Sequence, residues 1–321
     1  VTSGTVTGAI TFGTPTWSAN KASMTINTNT SYKIEYQVNS ISGTWTTIAN
    51  GGTVSNLNHG DTIYARLTDG INHGSYASTT LFNINNSVAR IGTKYYLTLQ
   101  EAINDVPVNN VRTTIVLLKD ISENVTTSAN QNIILNLNNK TIENASETPI
   151  ITLSGTLTVR NGEIIGTYST KQDTIYVNTN SELNLSNTNV VTNSETANVT
   201  IRNYGETTVT GGSIISESAH AISNQSGSTL EISGTAEISS TAATYPTINS
   251  YGETTVTGGS ITAVNSYGLY NRSGATATIT GGTISSKKSN VINNQSGSTL
   301  EISGTAEISS TALAAITNYG E

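Results

Sequence analysis

The amino-acid sequence predicts an all-β protein built around a parallel β-helix, a three-faced solenoid of about eight coils. Two literal repeats and one periodicity carry that expectation. The stretch Tyr204-Gly-Glu-Thr-Thr-Val-Thr-Gly-Gly-Ser-Ile214 returns unchanged at 251–261 and begins again at Tyr319-Gly320-Glu321, and the stretch 224–242 returns unchanged at 294–312. Repeats at intervals of about twenty to fifty residues mark stacked units that bury a continuous core between neighbours.

The periodicity lies in the aliphatic residues. The pairs Leu135/Leu137, Leu157/Val159, Leu183/Leu185, Thr207/Val209, Leu230/Ile232, Thr254/Val256, Ala277/Ile279 and Leu300/Ile302 fall into register, their second members spaced by 22, 26, 24, 23, 24, 23 and 23 residues. A second column follows each pair: Ile142, Ile164, Val190, Ile214, Ile238, Ile261, Ile284 and Ile308. A third precedes it: Val125, Ile151, Val177, Ile201, Ile222, Ile248, Leu269, Ile292 and Ile316. Each short segment alternates apolar with Thr, Ser, Asn or Glu and is bounded by Gly, Asn or Ser, the pattern of strands between turns. A helical repeat would be broken by the Gly-Gly pairs at 211/212, 258/259 and 281/282. Three strands per coil, stacked at about 4.8 Å, give a rod of roughly 40 Å.

The turn after the first strand of each coil carries Asn203, Asn224, Asn271, Asn294 and Asn318, with Ser250 as the exception. Asn tolerates the left-handed backbone of a sharp corner, and stacked amides bond from coil to coil, so this column reads as structural.

Composition narrows the function. Charged residues are 11% of the chain, against about 25% in an average globular protein, and Ser, Thr, Asn and Gly fill the surface. That is the composition of a secreted, extracellular surface protein. A net charge of -7 and a pI near 5.0 argue against a nucleic-acid partner, and the basic doublet Lys287-Lys288 reads as a solvated turn. With no Cys there are no disulfides and no thiolate metal sites. No run of eighteen apolar residues and no signal peptide occurs, which predicts no membrane insertion. The start at Val1 and the end within a Tyr-Gly-Glu unit predict an internal fragment whose solenoid continues past Glu321.

Residues 1–85 lack the coil period and hold both Trp and both Phe. Candidate strands are 6–12, 23–27, 32–38, 44–48, 53–57, 62–68 and 77–84, and seven strands suit a sandwich. In the third, Tyr32, Ile34, Tyr36 and Val38 share one face and Lys33, Glu35 and Gln37 the other. The segment Leu57-Asn-His-Gly60-Asp-Thr-Ile63-Tyr64-Ala65-Arg66 resembles the corner between strands E and F of fibronectin type III and bacterial immunoglobulin-like domains, with Ile63 standing where the corner Tyr is expected. The resemblance implies a spacer or binding module. It also raises an internal Lys–Asn cross-link through Lys33, which the outward position of Lys33 disfavours.

Residues 86–122 form the junction to the solenoid at 123–321. Thr98-Leu-Gln-Glu101 is a capping box, Leu99, Ala102, Ile103 and Val106 make one apolar stripe, and Pro107 stops it, so 98–106 is the expected helix. Its role is to cover the otherwise open end of the core. Ile115–Leu118 reads as the first strand beneath it. The runs 88–103, Thr114-Ile-Val-Leu-Leu-Lys-Asp120 and Asn132-Ile-Ile-Leu-Asn-Leu-Asn-Asn-Lys-Thr-Ile142 resemble the opening of pectin-lyase-like β-helix regions in Gram-positive bacterial surface proteins and adhesins. That resemblance implies a right-handed parallel β-helix on a wall-displayed protein, and does not by itself imply lyase activity.

The expected function is therefore a non-enzymatic rod-like adhesin or stalk, without cofactor, whose partner is a host or bacterial surface glycan or protein. Tyr204, Tyr251, Tyr267 and Tyr270, with Tyr245 and Tyr319 near the same corner, are the candidate binding residues, since exposed Tyr serves glycans and proteins alike. The alternative is a polysaccharide lyase or hydrolase. Glu182 over Glu206, one coil apart at about 5 Å, has the spacing of a retaining glycosidase pair, with Asp173 and Arg202 nearby. Glu253 and Glu321 occupy the same corner of other coils, which favours a solvated acidic edge. The outward column Asn136, Thr158, Asn184, Thr208, Glu231, Thr255, Thr278 and Glu301 offers neither a carboxylate cluster nor an aromatic platform. A phage or pilus-like fibre is a further alternative. His59 and His73 read as exposed loop residues and His220 as a solvated turn residue, rather than metal ligands.

Overall fold

The computed structural model describes residues 5–144, 146–193 and 198–321. They fall into two compact units, Val1–Ser87 and Val88–Glu321.

From Val125 onward the second unit is a parallel β-solenoid of about eight turns. Nine short strands, from Val125–Thr126 to Ile316–Asn318, stack in sequence order as one parallel sheet. A fifteen-stranded sheet takes the remaining strands of the coils. Its second and third columns are carried by single long strands in Asn132–Glu143, Thr156–Gly166, Glu182–Thr192, Glu253–Ala263 and Thr276–Ser286, and by separate strand pairs elsewhere. The aliphatic columns form one core that runs from Ala89 to Ile292. Fully burying each such side chain is worth about 1.5–3 kcal/mol, and the ladder of backbone bonds places each above its counterpart.

The register corrects three sequence expectations. Ile133 and Leu135 pair with Leu157 and Val159, so the first pair is Ile133/Leu135 rather than Leu135/Leu137, and the matching outward residue is Ile134 rather than Asn136. The left-handed bulge at Asn138 and Asn139 absorbs the difference. In the nine-stranded sheet Ile175, not Val177, lies between Ile151 and Ile201, while Val177 pairs with Leu153 and Asn203.

Of the two reasons expected for the Asn column, the structure shows the amide bonds from coil to coil and not the left-handed corner. The residues with left-handed backbone include Asn139, Asn161 and Asn187, at the bend inside the long strands, and not Asn203, Asn224, Asn271 or Asn294. In later coils Gly212, at φ 82°, takes that bend, and a Cβ there would lie 2.2 Å from the Thr188 carbonyl oxygen. The ladder residues instead end their strands fully buried. Asn203 Nδ2 donates to Asn224 Oδ1 at 2.8 Å and to the Thr229 carbonyl at 2.8 Å. Asn271 repeats this to Asn294 at 2.7 Å, and Asn294 to Asn318 at 2.8 Å. Ser250 interrupts the run: its hydroxyl turns to Thr254 at 2.8 Å, the approach from Asn224 stretches to 3.4 Å, and Asn271 Oδ1 is left without a partner.

The open end of the core is covered as expected, with an addition. The helix is Leu99–Asn104, with Thr98 as N-cap and a complete capping box. Leu99, Ala102, Ile103 and Val106 are buried in the solenoid core. The first coil holds both ends of the helix: the Glu123 carboxylate accepts from Leu99 N and Gln100 N at 2.8 Å each, and Gln131 Nε2 donates to the carbonyls of Ile103 and Val106. Unforeseen is a hairpin, Ala89–Ile91 with Lys94–Tyr96, that pairs antiparallel with the strand Arg112–Leu117 and so occupies its outer edge.

The first unit has two four-stranded sheets that share one core, with Met24, Ile26 and Val54 from one and Ile34, Ile63 and Leu67 from the other. A strand at Thr16–Ser18 was not foreseen, and the last strand ends at Thr80 rather than 84. Gln37, expected on the outer face, is buried and its amide donates to the Gly43 carbonyl. Lys33 is exposed.

The ladder makes a stability prediction. Asn294→Ala removes the buried acceptor of one Asn271 N–H and the donor to Asn318 Oδ1, while Ser298 keeps its bond to the Gln295 carbonyl, and should cost about 2 kcal/mol, read as a lower urea midpoint. Ser250→Asn gives Asn271 Oδ1 its donor and should raise the midpoint; Asn203 above Thr207 shows that the same local sequence accommodates Asn.

Candidate functional site

The face outside the nine-stranded sheet is where the solenoid collects its aromatic and basic side chains. Its strands are so short that each contributes one outward residue, and the register stacks them as Thr152, Tyr176, Arg202, Ser223, Asn249, Tyr270 and Asn293. Residues just beyond the strands flank that column. Tyr204 tilts against Tyr176 with ring centroids 5.3 Å apart, and Tyr267 meets Tyr270 edge-on at 5.3 Å. Stacked coils place such rings within contact distance without any long loop.

Two charged groups hold these ridges. Arg202 forms a bidentate pair with Asp173, at 2.6 Å from Nε and 3.0 Å from Nη2. Burial opposes the Arg202 charge, and the Asp173 pair more than offsets it, so its pKa lies above the ordinary Arg value. Burial, with Tyr204 beside it, raises the Tyr176 phenol as well. Arg272 donates through Nε to Asn249 Oδ1 at 2.7 Å. Its guanidinium lies 3.8 Å from the Tyr270 ring centroid and 5.5 Å from that of Tyr251.

Between the ridges the outward residue is small. Ser223 leaves a hollow of about 220 Å³ whose lining includes Lys171, Arg202, His220, Gln225, Asn249 and Tyr251. Gln225 Nε2 donates to Ser223 Oγ at 2.7 Å, fixing both on its wall. His220 is half-buried, a correction to the solvated turn expected. Its ring packs edge-on against Tyr245 at 5.1 Å, and its Nδ1 lies 2.8 Å from the Pro246 carbonyl oxygen. A carbonyl only accepts, so Nδ1 carries the proton and Nε2 is left as an acceptor. Burial, and then the nearby cations Arg272, Arg202 and Lys171, push the imidazole pKa down to about 4.

The expected site residues are thus distributed as follows. Tyr204, Tyr251, Tyr267 and Tyr270 do share this face. Tyr251 and Tyr319 are exposed, and Tyr251 rims the hollow. Glu182 and Glu206 are direct cross-coil neighbours in the other sheet, where Glu182 accepts from Asn184 at 2.8 Å and from Thr156 at 3.4 Å. Asp173 and Arg202 are committed to each other rather than to that pair. His59 and His73 are separately engaged: His59 Nδ1 accepts from Asn83 N at 3.0 Å, and His73 lies 3.2 Å from Glu35. Among the described residues no group of three or more His, Asp or Glu could hold a metal ion, and no helix is long and apolar enough to cross a membrane.

Sequence reading missed Tyr176, Lys171, Asn249 and Arg272. The outward column named from the sequence belongs to the larger sheet. The signal lay one residue after each aliphatic of the preceding column, Ile175, Ile201 and Leu269, where Tyr176, Arg202 and Tyr270 stand, and the misplacement of Val177 hid it.

Compared with family models and with curated proteins, the chain matches none. Among solved structures, a pectate lyase of Pectobacterium carotovorum aligns over 93% of this chain and 91% of its own at 11% identity, with a TM-score of 0.16. So slight a likeness carries no argument about fold or function.

The half-buried imidazole gives a pH prediction. An unfolded His binds a proton near pH 6.5 and the folded His220 only near 4, so the unfolded state takes up more protons between those values. The contribution of His220 is whole above about pH 6.5 and is lost as pH falls toward 4. The thermal midpoint of the wild type should therefore drop more steeply over that window than that of His220→Gln.

Proposed function

We propose that the chain is a rod-forming protein of the extracellular surface that binds glycan along its Tyr- and Arg-bearing face and is not an enzyme. In this reading the rod is a right-handed, three-faced β-helix of the pectin-lyase-like kind, and residues 1–85 are an immunoglobulin- or fibronectin-like spacer. The Gram-positive wall is the setting that the sequence resemblance favours, and the partner is a surface glycan of a host or neighbouring cell.

One observation carries the reading. Tyr176 with Tyr204 and Tyr251 with Tyr270 stand on either side of a polar hollow lined by Ser223, Gln225 and Asn249. A sugar ring presents an apolar C–H face and a rim of hydroxyls, so it is met by aromatic surface together with a few convergent polar groups. The carboxylates of the larger sheet are arranged otherwise. Glu182, Glu206 and Glu253 share one column along the rod, with Thr229 between the last two. A recurring acidic edge is the geometry of solvation, whereas hydrolysis needs one pair and one cleft.

The test is a glycan array probed with the whole chain, followed by titration of the best ligand. Tyr270→Ala and Tyr204→Ala should each weaken binding about tenfold, the equivalent of ~1.4 kcal/mol. An array with no ligand, or binding indifferent to both substitutions, would remove the proposal. Release of reducing ends from the bound glycan, abolished by Glu206→Gln, would favour the enzymatic alternative.

A further inference from the structure

We propose that the hollow over His220 selects an anionic sugar, one bearing a carboxylate or a sulfate; this rests on the preceding reading that the face takes glycan. The chain as a whole is acidic, with a net charge of -7, so a local excess of positive charge needs its own account. Three cations bear on His220: Lys171, Arg202 and Arg272. Arg202 is matched by Asp173. Among the described residues neither Lys171 nor Arg272 has a carboxylate within ion-pair distance.

The two unmatched cations differ in a useful way. Lys171 is exposed and on the rim of the hollow. Arg272 stands beside the lining rather than in it, held by the lining residue Asn249 at its Nε and by the Tyr270 face beneath it. Its two terminal nitrogens are thereby presented in a fixed plane, the arrangement that suits the two oxygens of a carboxylate or sulfate. A guanidinium already ordered loses little side-chain entropy on binding.

The rest of the lining suits the sugar that would carry the anion. His220 Nε2 is an acceptor for a sugar hydroxyl, and Gln225 keeps its carbonyl oxygen free of the bond to Ser223. A space of about 220 Å³ corresponds to about seven water volumes, room for one ring and not for a buried chain. Tyr251 supplies the apolar edge. The hollow is thus built for a single charged residue of a glycan whose neighbours lie along the open face.

The experiment is calorimetric titration of the whole chain with four probes: 3′-sialyllactose, a heparin-derived tetrasaccharide, lactose and chitotetraose. At least one anionic probe should bind ten times more tightly than either neutral one. Tightest binding of sialyllactose identifies the carboxylate, and of the heparin fragment the sulfate. Lys171→Ala, an exposed position that leaves folding intact, and Arg272→Gln should each reduce the ratio of anionic to neutral affinity by at least threefold. Lys287→Ala/Lys288→Ala, on an exposed turn, should leave the ratio unchanged. Equal affinities for charged and neutral probes, still weakened by Tyr270→Ala, would overturn charge selection and keep the glycan face. A ratio that falls equally in the Lys287/Lys288 variant would also overturn it, by assigning the effect to bulk charge. Silence from all four probes and from the array would remove both readings together.

Discussion

The parallel backbone ladder between coils is the constraint from which the rest follows. It fixes the step between coils at about 4.8 Å and sets every residue directly over its counterpart. Each position along a coil is thereby a column, and a column must be self-compatible: whatever stands there touches its own kind above and below. Inside the solenoid that condition is met chiefly by aliphatic side chains, which interlock. Outside, it brings rings such as Tyr176 and Tyr204 within 5.3 Å although they are 28 positions apart in sequence.

Buried hydroxyls such as Ser216, Ser240 and Ser286 meet the interior condition by donating to backbone carbonyls, and Asn meets it in a column of its own. Asn carries both a donor pair and an acceptor, so each amide can donate to the next coil while accepting from its own, and the column stays satisfied however long it grows. Upstream, where the same column holds Leu153 and Val177, packing suffices. At Asn203 the column turns polar, and the amides tie the strand ends to the start of the following strand through carbonyls such as Thr229 and Thr299. Ser250 breaks the chain of donors because its hydroxyl is too short to bridge the step. The orphaned Asn271 Oδ1 is the visible consequence, and its cost falls on one coil rather than on the whole rod.

Much of the fold was legible because apolar alternation reports which side of a strand faces inward, and that parity survives errors of two. Leu137 and Val177 were assigned to the wrong rungs, each by two residues, and both are nonetheless buried. The outer face of the nine-stranded sheet was less legible for the same reason. A slip of two keeps the face and changes the neighbour, and a surface site is made of neighbours. Thus Arg202 was noticed and Tyr176, its partner across the coil, was not. The capping helix was readable from Thr98 to Glu101 because its signals are local. The hairpin 89–96 was not, since its partner strand begins at Arg112 and nothing near it in sequence announces the pairing. His220 shows a third kind of failure: its burial comes from Tyr245 and Pro246, contributed by the next coil.

The repeats themselves separate scaffold from site. The two copies of 204–214 and the two of 224–242 are identical, and they supply the bends, the Asn corner and the larger sheet. Between them the copies diverge: where one has His220 and Ser223, its sister has Tyr267 and Tyr270. Counted from Ile214 and Ile261 these are the same positions. Divergence there leaves the columns of the core untouched, because the inward place in the ladder is filled by an aliphatic in both copies, Ile222 and Leu269. What changes is the outer surface, from a small residue that opens a hollow to a large ring that closes it into a ridge. A solenoid that repeats its scaffold while varying one outward column changes its outer surface without altering how it folds, and the hollow over His220 is where the two copies differ in this way.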